Sequence, residues 1–321
     1  MKEGLHIVGM GHYAPEHVVT NDDLSKIVDT NDEWISSRTG IRRRHFITEE
    51  KNQDMAIAAA KMAIEDAGID KSEIGVVIVA TIRPDHMTPS VACMVQKKLE
   101  LPQDIPCFDI NAACSGFMYG VQIARGMLLQ NDKKYGVVVG SETLSKILDM
   151  NDRSTCILFG DGAGAVLLKA SDRRPYLPVA HSDGRQKAAL TMRSRHDGGR
   201  DFLAAEYDLQ MDGQAVFKFA VRKVPEVIRE VLEKNHLRME DIRYFLLHQA
   251  NRRIIEAVAR HLGIAVEKFP MNVAHCGNTS SASIPILLDE LNHEGKLQKG
   301  DRLVLAGFGA GLTWGATVVE W

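Results

Sequence analysis

The stretch "DINAACSGFMYG", Asp109–Gly120, sets Cys114 between two alanines and a Ser-Gly pair, and a helix-like pattern follows at once. A helix beginning near Ser115 would place the thiol at the positive end of the helix dipole. That position predicts a lowered thiol pKa. Ala112, Ala113 and Gly116 leave room for a bulky substrate to reach sulfur. A thiolate both accepts and releases acyl groups, so it suits transfer between thioesters. The ordinary alternative is an inert buried cysteine, and Cys93, Cys107 and Cys156, which sit in apolar runs, take it. His248 stands in "LLHQAN", where an apolar strand pattern ends. There it is placed to face a cleft, as a proton donor or a hydrogen-bond donor to developing negative charge. Asn278, in "HCGNTSSAS", offers either a helix cap or Asx-turn, or an amide donor aimed at an oxyanion. "GFGAGLTWG" (Gly307–Gly315) has the wrong spacing for a dinucleotide fingerprint. Its glycines let backbone N–H groups approach a thioester oxygen. "FGDGAGA" (Phe159–Ala165) reads as a structural turn.

Strand-like and helix-like patterns alternate along the chain. "GVVIVATI" (Gly75–Ile82) reads as a strand buried on both faces, and the helix before it stops at Gly68. The alternation predicts an α/β fold around a mostly parallel sheet. Three features then recur in the same order, shifted by about 165 residues. "EDAGIDKSEIGVVIVAT" matches "EKNHLRMEDIRYFLLHQ", "IPCFDINAACSGF" matches "FPMNVAHCGNTSSAS", and "KKYGVVVGSETL" matches "KGDRLVLAGFGAGL". We expect a duplicated architecture, with halves 1–171 and 172–321. Matching strand ends would then bring Cys114, His248, Asn278 and the Gly307–Gly311 turn around one centre. Residues 184–210 break the pattern; such a stretch reads as a lid, a binding wall or a surface excursion.

The totals exclude several classes. The net charge of -3 in 321 residues gives no global pull toward nucleic acid or an anionic membrane. Five cysteines without a C-x-x-C pair argue against a disulfide scaffold or structural zinc. No apolar run approaches the ~20 residues that span a bilayer, and the start of the chain shows no cleavable signal pattern. The expectation is a cytoplasmic protein with free thiols.

Together, "ACSGF", "HQAN", "GNTS", "FGDGAGA" and "GFGAGLTWG" resemble the β-ketoacyl-acyl-carrier-protein synthase III family. The resemblance covers essentially the whole chain, from "GMGHYAPEHVVTNDDL" and "TNDEWISSRTGIRRRH" onward. It implies a thiolase-like duplicated αβαβα five-layer fold and a homodimer. It also implies decarboxylative condensation of an acyl-CoA primer with malonyl-acyl-carrier protein through an acyl-cysteine. The product would be 3-oxoacyl-acyl-carrier protein, at the start of fatty acid synthesis. By resemblance, Cys114 is the nucleophile, and His248 and Asn278 bind the malonyl thioester carbonyl. The backbone N–H groups of Cys114 and Gly309 are candidates for the other oxyanion hole. Trp34, Arg38 and Arg153 match coenzyme A contacts. Lys218, Arg253 and the run Gln249, Ala250, Asn251 and Arg252 match the carrier-protein side, which Arg222 and Lys223 would extend. Met87 and Thr88 in "RPDHMTPS" would shape the acyl pocket. No metal and no permanently bound cofactor are implied; the coenzyme A thioester is a substrate. Arg42–Arg44 reads as a solvated charge run.

Two departures stand out: Cys276 where the family commonly has a bulkier aromatic, and Ala310 where glycine is common. Cys276 is expected to be structural. A degradative thiolase would need a second cysteine in the final glycine-rich turn. An elongating enzyme would have histidine in place of Asn278. A hydroxymethylglutaryl-type synthase would want a glutamate upstream of the nucleophile, where this chain offers Asp85. A secondary-metabolism relative would share Cys114, His248 and Asn278 and differ in its pocket. A non-catalytic carrier-binding scaffold, with Cys114 as a redox sensor, would have no reason to keep all three.

Overall fold

Ile74–Ala80 is buried along its whole length, so this strand needs apolar cover on both faces. The computed structural model describes residues 4–130, 132–172, 175–193 and 208–321. The first half runs β1 (Gly4–Tyr13), β2 (Val18–Thr20), α1 (Asn21–Leu24), α2 (Asp32–Thr39), β3 (Arg43–His45), α3 (Asn52–Ala67), β4 (Ile74–Ala80) and α4 (Val91–Lys98). It continues through β5 (Cys107–Ile110), α5 (Gly116–Leu128), β6 (Tyr135–Glu142), α6 (Arg153–Cys156) and β7 (Gly162–Ser171). The second half runs β8 (Val179–Ser182), β9 (Leu190–Thr191), β10 (Gln210–Met211), α7 (Gly213–Lys234), β11 (Tyr244–Leu247) and α8 (Arg252–Leu262). It ends with α9 (Val273–Cys276), α10 (Ser283–His293), β12 (Arg302–Gly309) and β13 (Thr313–Glu320).

One sheet has the order β1-β7-β6-β4-β5 and the other β8-β13-β12-β11. The second repeats the first, one strand short: the stretch "FPMN", matched to β5 by sequence, forms no strand. Both sheets are mixed, a correction to the mostly parallel expectation. β4 runs parallel to β5 and β6, while β6–β7 and β7–β1 are antiparallel. β11–β12 is parallel, and β12–β13 and β13–β8 are antiparallel. An apolar run reports burial but not direction. Only Ala310–Leu312 separate β12 from β13, too short a link for a parallel crossover.

Strand alternation builds the layers. Val76 and Ile78 of β4 pack with α5 and α10, together with Leu303 and Leu305 of β12. Val77 and Val79 face α3 and α4 instead. Val304 and Ala306 face α7 and α8. The order is therefore helix, sheet, central helix pair, sheet, helix: five layers sharing one central core. α3 ends at Gly68, whose φ of 60° closes the helix, as its sequence predicts.

Of Arg42–Arg44, Arg42 and Arg43 are exposed, as a solvated run predicts, but Arg44 is not. Arg44 takes the inward position of β3 and is fully buried. Its guanidinium donates to Val19 O (3.2 Å), Asn21 Oδ1 (2.9 Å) and Ile157 O (2.7 Å). These acceptors replace water, and burial pulls its pKa down to about 10.

Leu288 of α10 is fully buried in the central core. Leu288→Ala should lower the unfolding free energy by about 2–5 kcal/mol. Exposed Ile27→Ala should change it by less than about 0.5 kcal/mol. Denaturant unfolding of both variants checks the contrast.

Candidate active site

Each central helix is entered through a 3₁₀ turn, Ala113–Ser115 before α5 and Ser280–Ala282 before α10. Both turns begin with a non-glycine residue in the left-handed region, Ala113 at φ 46° and Ser280 at φ 50°. Cys114 sits in the first turn. Thr313 of β13 ties that turn to the second half: Ser115 Oγ donates to Thr313 O (3.2 Å), and Thr313 Oγ1 to Ala112 O (3.3 Å). The end of β12 presses closer still. A Cβ on Gly309 would lie 2.7 Å from the Cys114 nitrogen and 3.1 Å from its Cβ. Only glycine fits there.

The lowered thiol pKa expected from the helix start is not found. Burial pushes the Cys114 thiol up to about 12, and the nearby Glu142 carboxylate adds to this. Loss of hydration outweighs the dipole of a helix that begins two residues later. The resting group is a neutral thiol.

His248 follows β11 and is buried, its ring edge-on to Phe308 at 5.4 Å. Its Nδ1 lies 2.7 Å from Ser283 Oγ. Burial drives its pKa down to about 3, so the ring is neutral near neutral pH. Of the two roles open from sequence, this favours a hydrogen-bond donor over a proton carrier. The Ser283 hydroxyl has two acceptors in reach, His248 Nδ1 and Ser280 O at 2.8 Å. Donation to Nδ1 leaves the proton on Nε2.

Asn278 does make the Asx-turn: its Oδ1 accepts from the Ser280 N–H at 2.9 Å. Its backbone is pinned as well, donating to Leu158 O and accepting from Gly160 N–H. With the amide oxygen spent, the side-chain NH2 is the group left for a ligand. The Asx-turn is what orients the donor.

Cys114, His248, Asn278 and Gly309 line one cavity of about 800 Å3. Trp34 and Arg38 line its wall, with the Arg38 and Arg153 guanidinium carbons 4.7 and 4.6 Å from the Trp34 ring centroid. Arg153 also donates to Asp29 O at 2.7 Å. Lys218, Ala250, Asn251 and Arg253 line the same cavity, with Lys218 and Arg253 exposed. Leu190 and Met211 contribute from the irregular region 184–210 and its edge; residues 194–207 lie outside the described residues.

One assignment needs correction, and several other residues stand away from this cavity. Gln249 is fully buried, its Nε2 donating to Leu247 O and its Oε1 accepting from Asn272 N–H. It cannot meet a partner protein; its place right after a buried strand spends the amide on backbone groups. Arg252 leans on Glu256 at 3.4 Å, outside the cavity wall. Met87 and Thr88 are exposed and do not line this cavity in the single chain. The segment beyond β4 turns outward, with Asp85 capping the start of α3 through the Asn52 and Gln53 N–H groups. Of the two residues suggested as extending the patch, Arg222 is exposed and Lys223 pairs with Glu226.

The sequence reading missed Glu142, Ser280 and Ser283. A carboxylate closing the apolar run "YGVVVGSE" was the available signal. Glu142 is fully buried, and loss of hydration raises its pKa to about 7. His275, Cys276 and Glu290 place ligand atoms within 4.8 Å of one another. The His275–Glu290 hydrogen bond at 2.9 Å accounts for that cluster.

Two family models describing 3-oxoacyl-(acyl-carrier-protein) synthase III match residues 108–184 and, for its C-terminal part, residues 232–321. The chain is 46% identical to the β-ketoacyl-(acyl-carrier-protein) synthase III of Clostridium acetobutylicum over 99% of this chain and 98% of that one. Its fold superposes on the crystal structure of 3-oxoacyl-(acyl-carrier-protein) synthase III from Aquifex aeolicus with a TM-score of 0.92. That comparison has 42% identity and covers 99% and 100% of the two chains. The priming β-ketosynthase of the R1128 polyketide pathway is also similar, with a TM-score of 0.94, 34% identity and coverage of 99% and 96%. The chain belongs to the 3-oxoacyl-(acyl-carrier-protein) synthase III family.

Proposed function

We propose that this enzyme starts fatty acid synthesis by condensing an acyl-CoA primer with malonyl-acyl-carrier protein at Cys114, releasing carbon dioxide and 3-oxoacyl-acyl-carrier protein. The observation that carries the residue assignment is the single cavity lined by Cys114, His248, Asn278 and Gly309. In acylation, the Cys114 sulfur attacks the primer thioester. The carbonyl oxygen gathers charge beside the Cys114 and Gly309 backbone N–H groups. Coenzyme A leaves with the thiol proton. The malonyl thioester carbonyl then sits on His248 Nε2–H and the Asn278 amide. As carbon dioxide departs, its electron pair forms an enolate whose oxygen these two neutral donors hold. No base is needed at this step, because decarboxylation itself releases the electrons. The enolate carbon attacks the acyl-cysteine carbonyl, and the Cys114 sulfur is expelled as a thiolate that takes a proton from solvent to restore the resting thiol.

Trp34 and Arg38 are the coenzyme A wall in this reading, with Arg153 beside them; Trp can stack a base and Arg can fork onto phosphate. Exposed Lys218 and Arg253, at the rim, suit an acidic carrier protein. We read the protein as a cytoplasmic homodimer whose halves are residues 1–171 and 172–321. The repeated sheet order supports the halves. Among the described residues, no helix is long and apolar enough to cross a membrane. The reaction as written draws its electrons from the substrates and one proton per turnover from solvent, and no step in it calls on a metal or resident cofactor. Likeness to a priming β-ketosynthase favours, as a second reading, the same chemistry on an unusual acyl group.

Cys114→Ala should abolish acyl-enzyme formation from radiolabelled acyl-CoA; undiminished labelling would contradict the nucleophile assignment. Asn278→Ala should still acylate but lose about 10²–10³-fold in malonyl decarboxylation, followed as released labelled carbon dioxide. Gly309→Ala pushes a methyl into the Cys114 backbone, and should cut single-turnover acylation at least about tenfold. Rapid-quench mass measurement of the enzyme reads that loss.

A further inference from the structure

Asn278 is held in place by a residue that stands outside the cavity. Its N–H donates to Leu158 O at 2.9 Å, and its carbonyl accepts from the Gly160 N–H at 3.0 Å. Phe159 and Asn278 thus form a single parallel bridge. Arg44 grips that bridge from behind. Its Nη2 donates to Ile157 O at 2.7 Å, one residue before Leu158. Its stem fills the angle between the two bridged segments. A Cβ added to Gly160 or to Gly277 would lie 3.1 Å from the Arg44 Cβ. Gly277 immediately precedes Asn278 and bends the chain at φ 69°. The backbone of β3 ties the same two segments: the Arg42 N–H donates to Ala274 O at 2.9 Å, and His45 O accepts from the Asp161 N–H at 2.8 Å.

The other arm of the guanidinium points the opposite way. Nη1 donates to Asn21 Oδ1 at 2.9 Å and to Val19 O at 3.2 Å. Asn21 is buried, and its Nδ2 donates to Asp32 Oδ1 and Ile41 O, each at 2.8 Å. Asp32 opens α2, the helix that carries Trp34 and Arg38. Ile157, Leu158 and Phe159 line the cavity together with Asn278. One side chain therefore joins the wall bearing Trp34 to the segment that fixes Asn278.

We propose that Arg44 is the positioning residue for Asn278, holding Ile157–Gly160 and the Gly277 bend so that the Asn278 amide meets the malonyl thioester oxygen. The proposal rests on Asn278 being a donor to that oxygen. The choice of residue supports it. Arg44 is fully buried, and its three acceptors are all neutral oxygens. An apolar side chain of similar size would fill the space without the cost of desolvating a cation. It could not donate to Ile157 O and Asn21 Oδ1 at once. Lysine could not span them either, since it offers one nitrogen where two are used. Position matters most at this amide, because the oxygen it serves gains its charge only as carbon dioxide leaves. A small displacement there costs rate more than binding. Cys114 is held by different ties, those of Ser115 and Thr313, so its acylation does not depend on Arg44.

The test measures the two half-reactions of the full-length enzyme separately. Acylation by saturating acetyl-CoA is read as intact-protein mass, which also counts the sites able to react. Decarboxylation of malonyl-acyl-carrier protein is read as labelled carbon dioxide per acylatable site. Arg44→Lys and Arg44→Met should acylate at the wild-type rate but lose at least about tenfold in decarboxylation. The loss should fall on kcat, with KM for the malonyl carrier unchanged, because Lys218 and Arg253 at the rim are untouched. Gly277→Ala sets a methyl 3.1 Å from both Arg44 Cβ and Leu158 O, and should show the same split. Arg43→Ala, at the exposed neighbour in β3, should change neither half-reaction. If Arg44→Met does not fold, Arg44→Lys and Gly277→Ala still decide. Wild-type decarboxylation in either of those two, or both half-reactions reduced by the same factor, would overturn the positioning role. If Asn278→Ala itself kept its decarboxylation, the donor reading beneath the proposal would fall instead.

Discussion

The site depends on how closely two helix-entry turns approach the opposite half of the molecule. At one, the end of β12 lies so near Cys114 that a methyl on Gly309 would meet the Cys114 nitrogen at 2.7 Å. At the other, β6 lies so near the second turn that a methyl on Gly140 would meet Ser281 O at 2.4 Å. Each half inserts a glycine of its own strand against the turn of its counterpart. Neither turn can move away without opening the layer that α5 and α10 fill. The catalytic groups inherit that rigidity: Cys114 lies in the first turn, Asn278 leads into the second, and His248 lies against Ser283 where α10 begins.

Much of this arrangement was legible in the sequence because duplication shows as order and spacing. The paired stretches about 165 residues apart predicted which strand ends would meet. Helix stops and strand runs followed from Gly68 and from apolar stretches such as Ile74–Ala80. Strand direction was not legible, since a strand covered on both faces looks the same whichever way it runs. Arg44 was misread because a three-residue strand is too short to display its alternation at the end of a run of three arginines. Gln249 was misread for a related reason: it shares a motif with exposed neighbours, yet its amide serves Leu247 and Asn272.

Electrostatics separated most clearly from sequence. A helix start lowers a thiol pKa only while the thiol keeps water or a compensating charge. Here burial strips water from Cys114, His248 and Glu142 alike, raising the thiol and the carboxylate and lowering the imidazole. All three shifts favour the neutral form. Cys114 and His248 therefore rest uncharged, which suits a reaction whose negative charge arrives with the malonyl carboxylate and passes to the enolate oxygen as neutral carbon dioxide leaves. No local motif announces this, because it is a property of the assembled layers.

The central claim is that the acyl group rests on Cys114 and is discharged there by malonyl-acyl-carrier protein. The most direct measurement is peptide mapping by mass spectrometry after exposure to acyl-CoA, then again after addition of malonyl-acyl-carrier protein. The account predicts the acyl mass on the peptide bearing Cys114, and its disappearance as 3-oxoacyl-acyl-carrier protein forms. An acyl group found on Cys276 or another residue, or one on Cys114 that the malonyl carrier leaves in place, would contradict it.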